Sequence, residues 1–183
     1  MAGRLVILSG PSGVGKDTVL DEWTAQDPRV RRVVAYTTRS RREGERDGVD
    51  YHFVSPGRFR EMIGEGAFLE HKEVFGNLYG TPIRDMEKML ESGLVAVLKI
   101  DVQGALTAMK RRPDALTVFL MPPSQEELER RLRDRDSDPP EVIQRRLRTA
   151  RDEMALSNRY RHVLVNWDVD EVVSALAALI ANG

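Results

Sequence analysis

Gly10-Pro11-Ser12-Gly13-Val14-Gly15-Lys16 joins a continuous apolar run, residues 5–8, to a segment with helical periodicity. A strand, a glycine-rich loop and a helix in this order form a phosphate-binding loop (P-loop). The spacing G-x-x-x-x-G-K lets consecutive backbone N–H groups converge on phosphate oxygens at the helix N-terminus, and the lysine reaches the outer phosphates. This stretch therefore predicts a nucleoside triphosphate site.

One position departs from the usual motif. The residue after the lysine is ordinarily Ser or Thr, whose hydroxyl helps hold Mg²⁺, but here it is Asp17, followed by Thr18. A carboxylate beside a triphosphate either faces the water shell of the metal or favours the helix N-terminus. We favour the helix N-terminus and leave open whether Asp17 or Thr18 serves the metal.

The composition indicates one compact domain. The chain has 183 residues, of which 41% are hydrophobic and 31% charged, enough for a core with small inserted subdomains. It has no cysteine, and its three histidines lack ligand spacing, so a structural or transition-metal site is not expected.

The bulk charge and hydropathy limit the partners. A net charge of −1 argues against nucleic-acid binding. No run approaches the roughly 18 apolar residues of a membrane span, and the N-terminus does not resemble a signal peptide. We expect a cytoplasmic protein with no membrane partner, and the oligomeric state is not disclosed by the sequence.

Near-continuous apolar runs separated by helical segments predict an α/β fold with a doubly wound parallel sheet. The runs cover residues 5–8, 33–35, 95–100, 116–121 and 163–165. Ligands bind beyond the carboxyl ends of such strands, where Ser9, Gly10, Asp101 and Asn166 fall. The P-loop kinase core is expected to comprise residues 1–35, 83–125 and 160–183.

Residues 36–82 are expected to form a small, mixed and mostly antiparallel lobe inserted into the core. Residues 37–48 are polar, charged and punctuated by glycine, which is typical of a functional loop. A strand at 51–54, a helix from Ser55-Pro56 to about Glu65, a half-exposed strand at 68–75 and a turn cluster at 76–82 are predicted to follow. A second substrate is expected to bind in this lobe.

Residues from about 126 to 159 are expected to form a helical lid. Pro122-Pro123-Ser124 caps a charged helix at 125–135, and a polar interruption precedes a second helix from 141 to about 158. Arginines on both helices are suited to close over phosphates. The alternative is a solvated helical hairpin with ion pairs. Residues 172–181 are predicted to form a terminal packing helix.

The inserted lobe offers groups for a phosphoryl acceptor. Glu70 and Thr81 can read a base, and guanine fits a carboxylate because its N1–H and N2–H₂ are donors along one edge, whereas adenine presents an acceptor at N1. The alternative for Glu70 is a solvent-facing strand position. Four side chains are suited to hold a second phosphate by bidentate and hydroxyl hydrogen bonds: Arg39, Arg42, Tyr51 and Tyr79.

Over nearly its whole length the chain resembles the guanylate kinase family, the nucleoside monophosphate kinases that phosphorylate GMP. The matching motifs, in order, are Gly10-Pro11-Ser12-Gly13-Val14-Gly15-Lys16, Thr37-Thr38-Arg39, Gly48-Val49-Asp50-Tyr51-His52-Phe53-Val54, Gly76-Asn77-Leu78-Tyr79-Gly80, Ile100-Asp101-Val102-Gln103-Gly104-Ala105 and Arg145-Arg146-Leu147. The resemblance implies transfer of the γ-phosphoryl group of Mg·ATP to GMP, and to dGMP, giving ADP and the diphosphate, in purine nucleotide metabolism.

The same resemblance implies roles for individual residues. The catalytic residues would be Lys16, Arg39, Asp101, Arg135 and Arg146. GMP would contact Arg39, Arg42, Tyr51, Glu70, Tyr79, Gly80, Thr81 and Asp101. ATP would contact Gly10, Pro11, Ser12, Gly13, Val14, Gly15, Lys16, Asp17, Thr18, Arg131 and Asn166. Mg²⁺ would lie at Thr18 and Asp101, partly through water.

The chain departs from the family pattern at four positions. Ala35 stands where a serine often helps contact guanine, and Lys99 stands where an acidic residue is common. Asp17 replaces Ser, Thr or Gly, and Asp136 follows Arg135 where glycine is common. These departures concern affinity and the lid, not the reaction class.

Two other functions are compatible with parts of this pattern. One is a P-loop kinase for another small molecule, such as a ribose phosphate, which would not need Glu70 and Thr81 to read a base. The other is a guanylate-kinase-like scaffold domain that binds protein ligands and has lost catalysis. Such domains typically carry a degraded P-loop, whereas Lys16 and both motif glycines are present here.

Overall fold

The computed structural model describes residues 3–74, 76–135 and 139–181, with the backbone alone for Arg135. In chain order, its helices and strands are β1 (Arg4–Ser9), α1 (Lys16–Gln26), β2 (Val30–Arg32), β3 (Tyr36–Thr37), β4 (His52–Phe53), α2 (Pro56–Gly64), β5 (Phe68–Val74), β6 (Asn77–Pro82), α3 (Ile83–Glu91), β7 (Val95–Lys99), α4 (Val102–Arg111), β8 (Leu116–Met121), α5 (Gln125–Arg135), α6 (Pro140–Met154), β9 (His162–Val165) and α7 (Val169–Ala181).

The centre of the fold is a five-stranded sheet with the order β2-β7-β1-β8-β9, in which every neighbouring pair is parallel. Alternate side chains of β1 point to opposite faces. Val6 and Leu8 pack with α1 and α7, whereas Leu5 and Ile7 pack with α3 and α4. Helices therefore cover both faces, and the predicted doubly wound α/β core is confirmed.

A second sheet has the order β4-β3-β6-β5. Its β3–β4 pair is parallel, and its β3–β6 and β5–β6 pairs are antiparallel. It is built from residues between 36 and 82, together with α2, whose N-cap Ser55 accepts a hydrogen bond from the Arg58 N–H (3.1 Å). The predicted small sheet of mixed, mostly antiparallel pairing is confirmed.

The prediction of a core strand at residues 33–35 was wrong. The chain crosses between the two sheets there: the Val33 N–H donates to the Val97 carbonyl in β7 (3.0 Å), and the Ala35 carbonyl accepts from the His52 N–H in β4 (2.9 Å). Val33 is buried at this crossing. These residues are therefore apolar because the chain passes between the two sheets, and they do not form a strand.

The prediction of a turn cluster at residues 76–82 was also wrong, because most of it is strand β6. The turn is confined to the start, where Gly76 has φ +76°. Gly80 lies within this strand, and the Phe68 ring packs directly on it. A Cβ at Gly80 would lie 2.8 Å from Phe68 Cδ1, so the packing requires glycine. Besides forming turns, glycine is common in strands where another group packs closely against the backbone, as the Phe68 ring does here.

The two helices after β8 form a hairpin. α5 has the predicted bounds, and α6 ends at Met154, before a short 3₁₀ turn at Ser157–Arg159. An apolar cluster joins them: Leu128, Leu132, Ile143, Leu147 and Ala150. Asp136 lies outside the described residues. In the part of the chain that the structure describes, none of the helices has the length and apolar character needed to cross a bilayer.

Candidate active site

The P-loop lies between β1 and α1, at the carboxyl edge of the central sheet. Lys16 Nζ donates to the carbonyls of Gly10 (2.6 Å) and Pro11 (2.9 Å), so the ammonium is held across the loop. Gly15 has φ +100°, and a Cβ there would lie 2.6 Å from the Asn166 amide nitrogen. Both the backbone conformation and the close neighbour require glycine at this position. Thr18 is exposed on α1.

Arg131 and Asn166, two residues predicted to contact the donor nucleotide, meet at the P-loop. Both donate to the Val14 carbonyl, Asn166 Nδ2 at 2.8 Å and the Arg131 guanidinium at 3.1 Å. Arg131 also pairs with Glu127 at 2.7 Å. The loop is thereby tied to α5 and to the segment after β9, although these elements are far apart in the sequence.

A cleft of about 380 Å³ adjoins this junction, lined in part by Pro123, Ser124, Arg130, Arg131 and Trp167. Trp167 is 71% exposed, whereas tryptophan is highly buried on average. Trp167 was not among the site residues predicted from the sequence. Its position directly after Asn166 was the available signal.

Arg39 lies beside Tyr51 in the second sheet region, with the guanidinium carbon 5.5 Å from the ring centroid. The Tyr51 and Tyr79 rings are 5.9 Å apart in an edge-to-face arrangement. These three predicted phosphate ligands are thus brought together. Arg42 joins them through its backbone N–H, which donates to Glu45 (2.8 Å), while the residue itself is exposed.

Glu45 is a partner that the sequence analysis missed. Its carboxylate forms a bidentate pair with the Arg39 guanidinium, at 2.6 and 3.0 Å. Hydrogen bonding from Arg39 lowers the pKa of Glu45 to about 2. A planar anion is therefore already bound at the guanidinium that is predicted to receive a phosphate.

Glu70 and Thr81 are opposite residues of β5 and β6, and the Thr81 hydroxyl donates to Glu70 Oε1 at 2.6 Å. Both residues are buried, at 6% and 2% exposure, which contradicts a solvent-facing position for Glu70. The β5–β6 register shifts between Phe68 and Glu70, a bulge that re-aims side chains. Burial raises the pKa of Glu70, against the lowering effect of the Thr81 hydrogen bond.

Asp101 lies at the junction of the two sheets. Its carboxylate caps α4 by accepting the Gly104 N–H at 2.9 Å, and it forms an ion pair with Lys72 of β5. The Asp101 side chain is 36% exposed. It therefore keeps access to a ligand while it joins the second sheet to the core.

Asp17 and Lys99, two of the departures from the family pattern, contact each other. Asp17 lies in the first turn of α1, where the helix dipole favours a carboxylate, and its Oδ1 pairs with Lys99 Nζ at the end of β7. Burial lowers the pKa of Lys99, nearby Arg32 lowers it further, and Asp17 opposes both. The third departure, Ala35, presents its carbonyl to β4.

The hairpin of α5 and α6 provides one further carboxylate to the P-loop. Glu153, near the end of α6, lies close to the Ser12 backbone in the P-loop and to Lys16 and Lys72. Burial raises its pKa, against the lowering effect of these groups. Glu153 was not predicted from the sequence, because only the tertiary structure brings α6 to the P-loop.

The two predicted lid arginines, Arg135 and Arg146, lie on α5 and α6. Arg146 is partly buried on α6, whereas the Arg135 side chain lies outside the described residues. Other α5 arginines form ion pairs along the helix, such as Arg130 with Glu127 (2.8 Å) and Arg133 with Glu129 (2.5 Å). The solvated-hairpin alternative thus holds for that part of α5.

Comparison with known proteins gives consistent matches. The profile of a family described as Guanylate kinase matches residues 2–183. A guanylate kinase of Thermobifida fusca is 49% identical over 178 residues, covering 97% of this chain and 91% of that protein. One of Alkalilimnicola ehrlichii is 46% identical over 179 residues, covering 98% and 88%. The crystal structure of guanylate kinase from Anaplasma phagocytophilum superposes with a TM-score of 0.79 at 34% identity, covering 98% and 85%.

Proposed function

The chain belongs to the guanylate kinase family, and we propose that it transfers the γ-phosphoryl group of ATP to GMP, giving ADP and GDP, in purine nucleotide metabolism. The observation that carries the proposal is the buried Glu70–Thr81 pair. Titratable groups whose pKa is shifted by burial cluster at functional sites, and burial raises the pKa of Glu70. dGMP is a second acceptor, since the assigned groups address the base and the phosphate.

Glu70 selects guanine by hydrogen-bonding polarity. An ionised carboxylate only accepts, so it pairs with the N1–H and N2–H₂ donors of guanine and faces an acceptor in adenine. Thr81 holds Glu70 Oε1 at 2.6 Å and thereby orients the carboxylate. Mismatched buried polar groups lower specificity constants by several orders of magnitude, roughly 10⁴–10⁵ in well-built sites.

The phosphate of GMP binds at Arg39, Arg42, Tyr51 and Tyr79. Arg39 already holds a carboxylate in bidentate geometry, and a phosphate offers the same arrangement of two oxygens with more charge. We infer that the GMP phosphate displaces Glu45 from Arg39. Gly80 and Asp101 complete the acceptor site, Gly80 by its position between Tyr79 and Thr81.

The donor triphosphate binds along the P-loop, residues 10–16, with Lys16 at its outer phosphates. Asp17, Thr18, Arg131 and Asn166 border the same site. A GMP phosphate oxygen attacks the γ-phosphorus in line, and because this nucleophile is already ionised, no general base is required. Catalysis therefore depends on positioning and on charge stabilisation by Lys16, Arg39 and the lid arginines Arg135 and Arg146.

Mg²⁺ fits the groups present. It prefers hard oxygen donors and usually binds through one or two carboxylates, water and substrate phosphates. Asp101 and Thr18 supply such donors, and Asp17 adds a carboxylate that is 48% exposed. When bound, the ion neutralises charge on the β- and γ-phosphates. The chain's own part is to hold these oxygens beside Lys16.

The proposed function also assigns a role to each part of the chain. We assign residues 1–35, 83–125 and 160–183 to the core, 36–82 to the GMP-binding lobe and about 126–159 to the lid. Closure of lobe and lid excludes water, which would otherwise accept the phosphoryl group. A cytoplasmic location belongs to the same proposal, because ATP and GMP are available there.

An acceptor panel tests the function. ADP formation from Mg·ATP is measured with GMP, dGMP, AMP, CMP, UMP and a ribose phosphate, for the wild type and for Glu70→Gln. Rapid turnover selective for GMP and dGMP, and impaired by Glu70→Gln, supports the proposal. Selective turnover of the ribose phosphate would indicate a different small-molecule kinase. ATP binding without turnover of any acceptor would indicate a binding domain.

A further inference from the structure

We propose that Lys99 is a positioning residue for the donor nucleotide: its ammonium neutralises the Asp17 carboxylate, so that a P-loop with an added negative charge still binds a triphosphate. The inference deepens the proposed function and rests on its assignment of ATP to the P-loop. It concerns the ion pair between Lys99 at the end of β7 and Asp17 at the start of α1.

The contact is a consequence of strand order. β7 lies beside β1 with Leu8 opposite Lys99, so Lys99 ends its strand at the edge where the P-loop begins. Asp17 directly follows Lys16 in the first turn of α1. Lys99 Nζ contacts Asp17 Oδ1 across a separation of 82 residues. Two positions distant in sequence thus share one point of the donor site.

The burial of the pair is unequal. The Lys99 side chain is 13% exposed, and that of Asp17 is 48% exposed. A nearly buried ammonium requires a compensating anion. Arg32 lies close enough to act on Lys99 electrostatically, so the anion also offsets positive charge that is already present. Lys99 is therefore held in place by Asp17, and Asp17 by Lys99.

Asp17 and Lys99 compensate each other's charge, because the carboxylate in the first turn of α1 meets the ammonium at the end of β7. Without Lys99, the carboxylate of Asp17 would repel a triphosphate bound at the adjoining Lys16.

Binding of ATP in the presence of EDTA tests the inference, because no metal or acceptor then contributes. Titration calorimetry compares the wild type, Lys99→Met, Asp17→Asn, the double variant and Lys99→Arg. Lys99→Met should weaken ATP binding about tenfold, since the Asp17 carboxylate then loses a neutralising cation at short range from the triphosphate. Asp17→Asn should tighten ATP binding, because it removes a negative charge beside the triphosphate and keeps Lys99. The double variant and Lys99→Arg should bind within about threefold of the wild type.

Lys110→Met is the control for the loss of a lysine, because Lys110 is exposed on α4. The Lys110→Met protein should bind ATP as tightly as the wild type. Unchanged ATP binding in Lys99→Met overturns the inference. So does a double variant that binds as weakly as Lys99→Met, because Lys99 would then act on the phosphates directly.

Thermal melting of each variant checks its fold. If Lys99→Met does not fold, the double variant decides, since it lacks both members of the ion pair: weak ATP binding by a folded double variant overturns the inference. The readout is separate from the acceptor panel. Restored ATP binding in a protein that does not phosphorylate GMP would overturn the proposed function alone, and GMP phosphorylation without the restoration would overturn this inference alone.

Discussion

The Thr81 hydroxyl donates a 2.6 Å hydrogen bond to Glu70 Oε1, in the interior of the protein. Opposite this pair, Glu70 Oε2 lies against Gly104 of α4, where an added Cβ would be 2.9 Å away. The carboxylate is thus confined between a strand and a helix. Confinement of this kind orients a hydrogen-bonding group before a ligand arrives.

Replacing Glu70 by Gln is expected to stabilise the protein at pH 8 while impairing GMP turnover. Burial raises the Glu70 pKa above the 4.5 of an unperturbed side chain. The folded state therefore binds this proton more tightly than the unfolded chain, and the resulting stability is present below pH 4.5 and lost as the pH rises through the folded pKa. Thermal melting at pH 8 should give a higher Tm for Glu70→Gln, with a smaller difference near pH 4. A lower Tm at pH 8 would contradict the burial argument.

Gly104→Ala should raise the KM for GMP about tenfold and leave the KM for ATP nearly unchanged. The new methyl group would meet Glu70 Oε2 at 2.9 Å and Asp101 Oδ1 at 3.1 Å, so the carboxylate must move. Gly64→Ala is the control, because nothing lies within 4 Å of a Cβ there. Steady-state kinetics with GMP and with ATP as the varied substrate gives the two KM values for each variant. Equal KM values for GMP in both variants would show that Glu70 does not depend on this contact.

Arg39→Lys is expected to lower kcat/KM for GMP about a hundredfold, because lysine cannot form the bidentate contact that the guanidinium makes. Arg41→Lys supplies the comparison, since Arg41 is exposed two residues away. Initial rates at several GMP concentrations measure both. Parallel losses in the two variants would point to general charge attraction in the loop instead of a defined phosphate site.

Trp167 should report ATP binding by its fluorescence. It is 71% exposed beside the cleft at Arg131, whereas Trp23, the second tryptophan of the chain, is fully buried in the core. We expect ATP to quench or shift the emission, and tripolyphosphate, which lacks a base, to have little effect. Trp167→Phe should abolish the signal without loss of the fold. A response that persists in Trp167→Phe would place the reporter elsewhere.

Arg146→Ala should lower kcat much more than it weakens GMP binding, because a lid arginine acts on the transferring phosphoryl group. Arginines in this role contribute about 10³–10⁵ in rate in related phosphoryl transfers. Arg148, exposed on the same helix, is the control and should be replaceable by alanine with kcat retained. Single-turnover rates at saturating substrates measure the effect. Wild-type turnover in Arg146→Ala would remove the residue from the catalytic set.

Much of the fold follows from local patterns. The apolar runs of β1, β7, β8 and β9 and the charged helix α5 were predicted close to their observed bounds, because each pattern is contained within one element. The two errors were at residues 33–35 and 76–82. Residues 33–35 are apolar because the chain crosses between the two sheets there, and residues 76–82 looked like a turn because Gly80 lies within strand β6. In both cases the local composition is shared by two structures, and only the neighbouring element decides between them.

The sequence by itself determined the P-loop, the α/β class and the family, since these depend on motifs in fixed order along the chain. The tertiary structure alone decided three further relationships. It buried Glu70 against Gly104 of α4, brought the Glu153 carboxylate to the P-loop, and joined Asp17 to Lys99 across 82 residues. Such contacts depend on which strands are neighbours and on how helices pack, and neither is encoded by the residues adjacent in the chain.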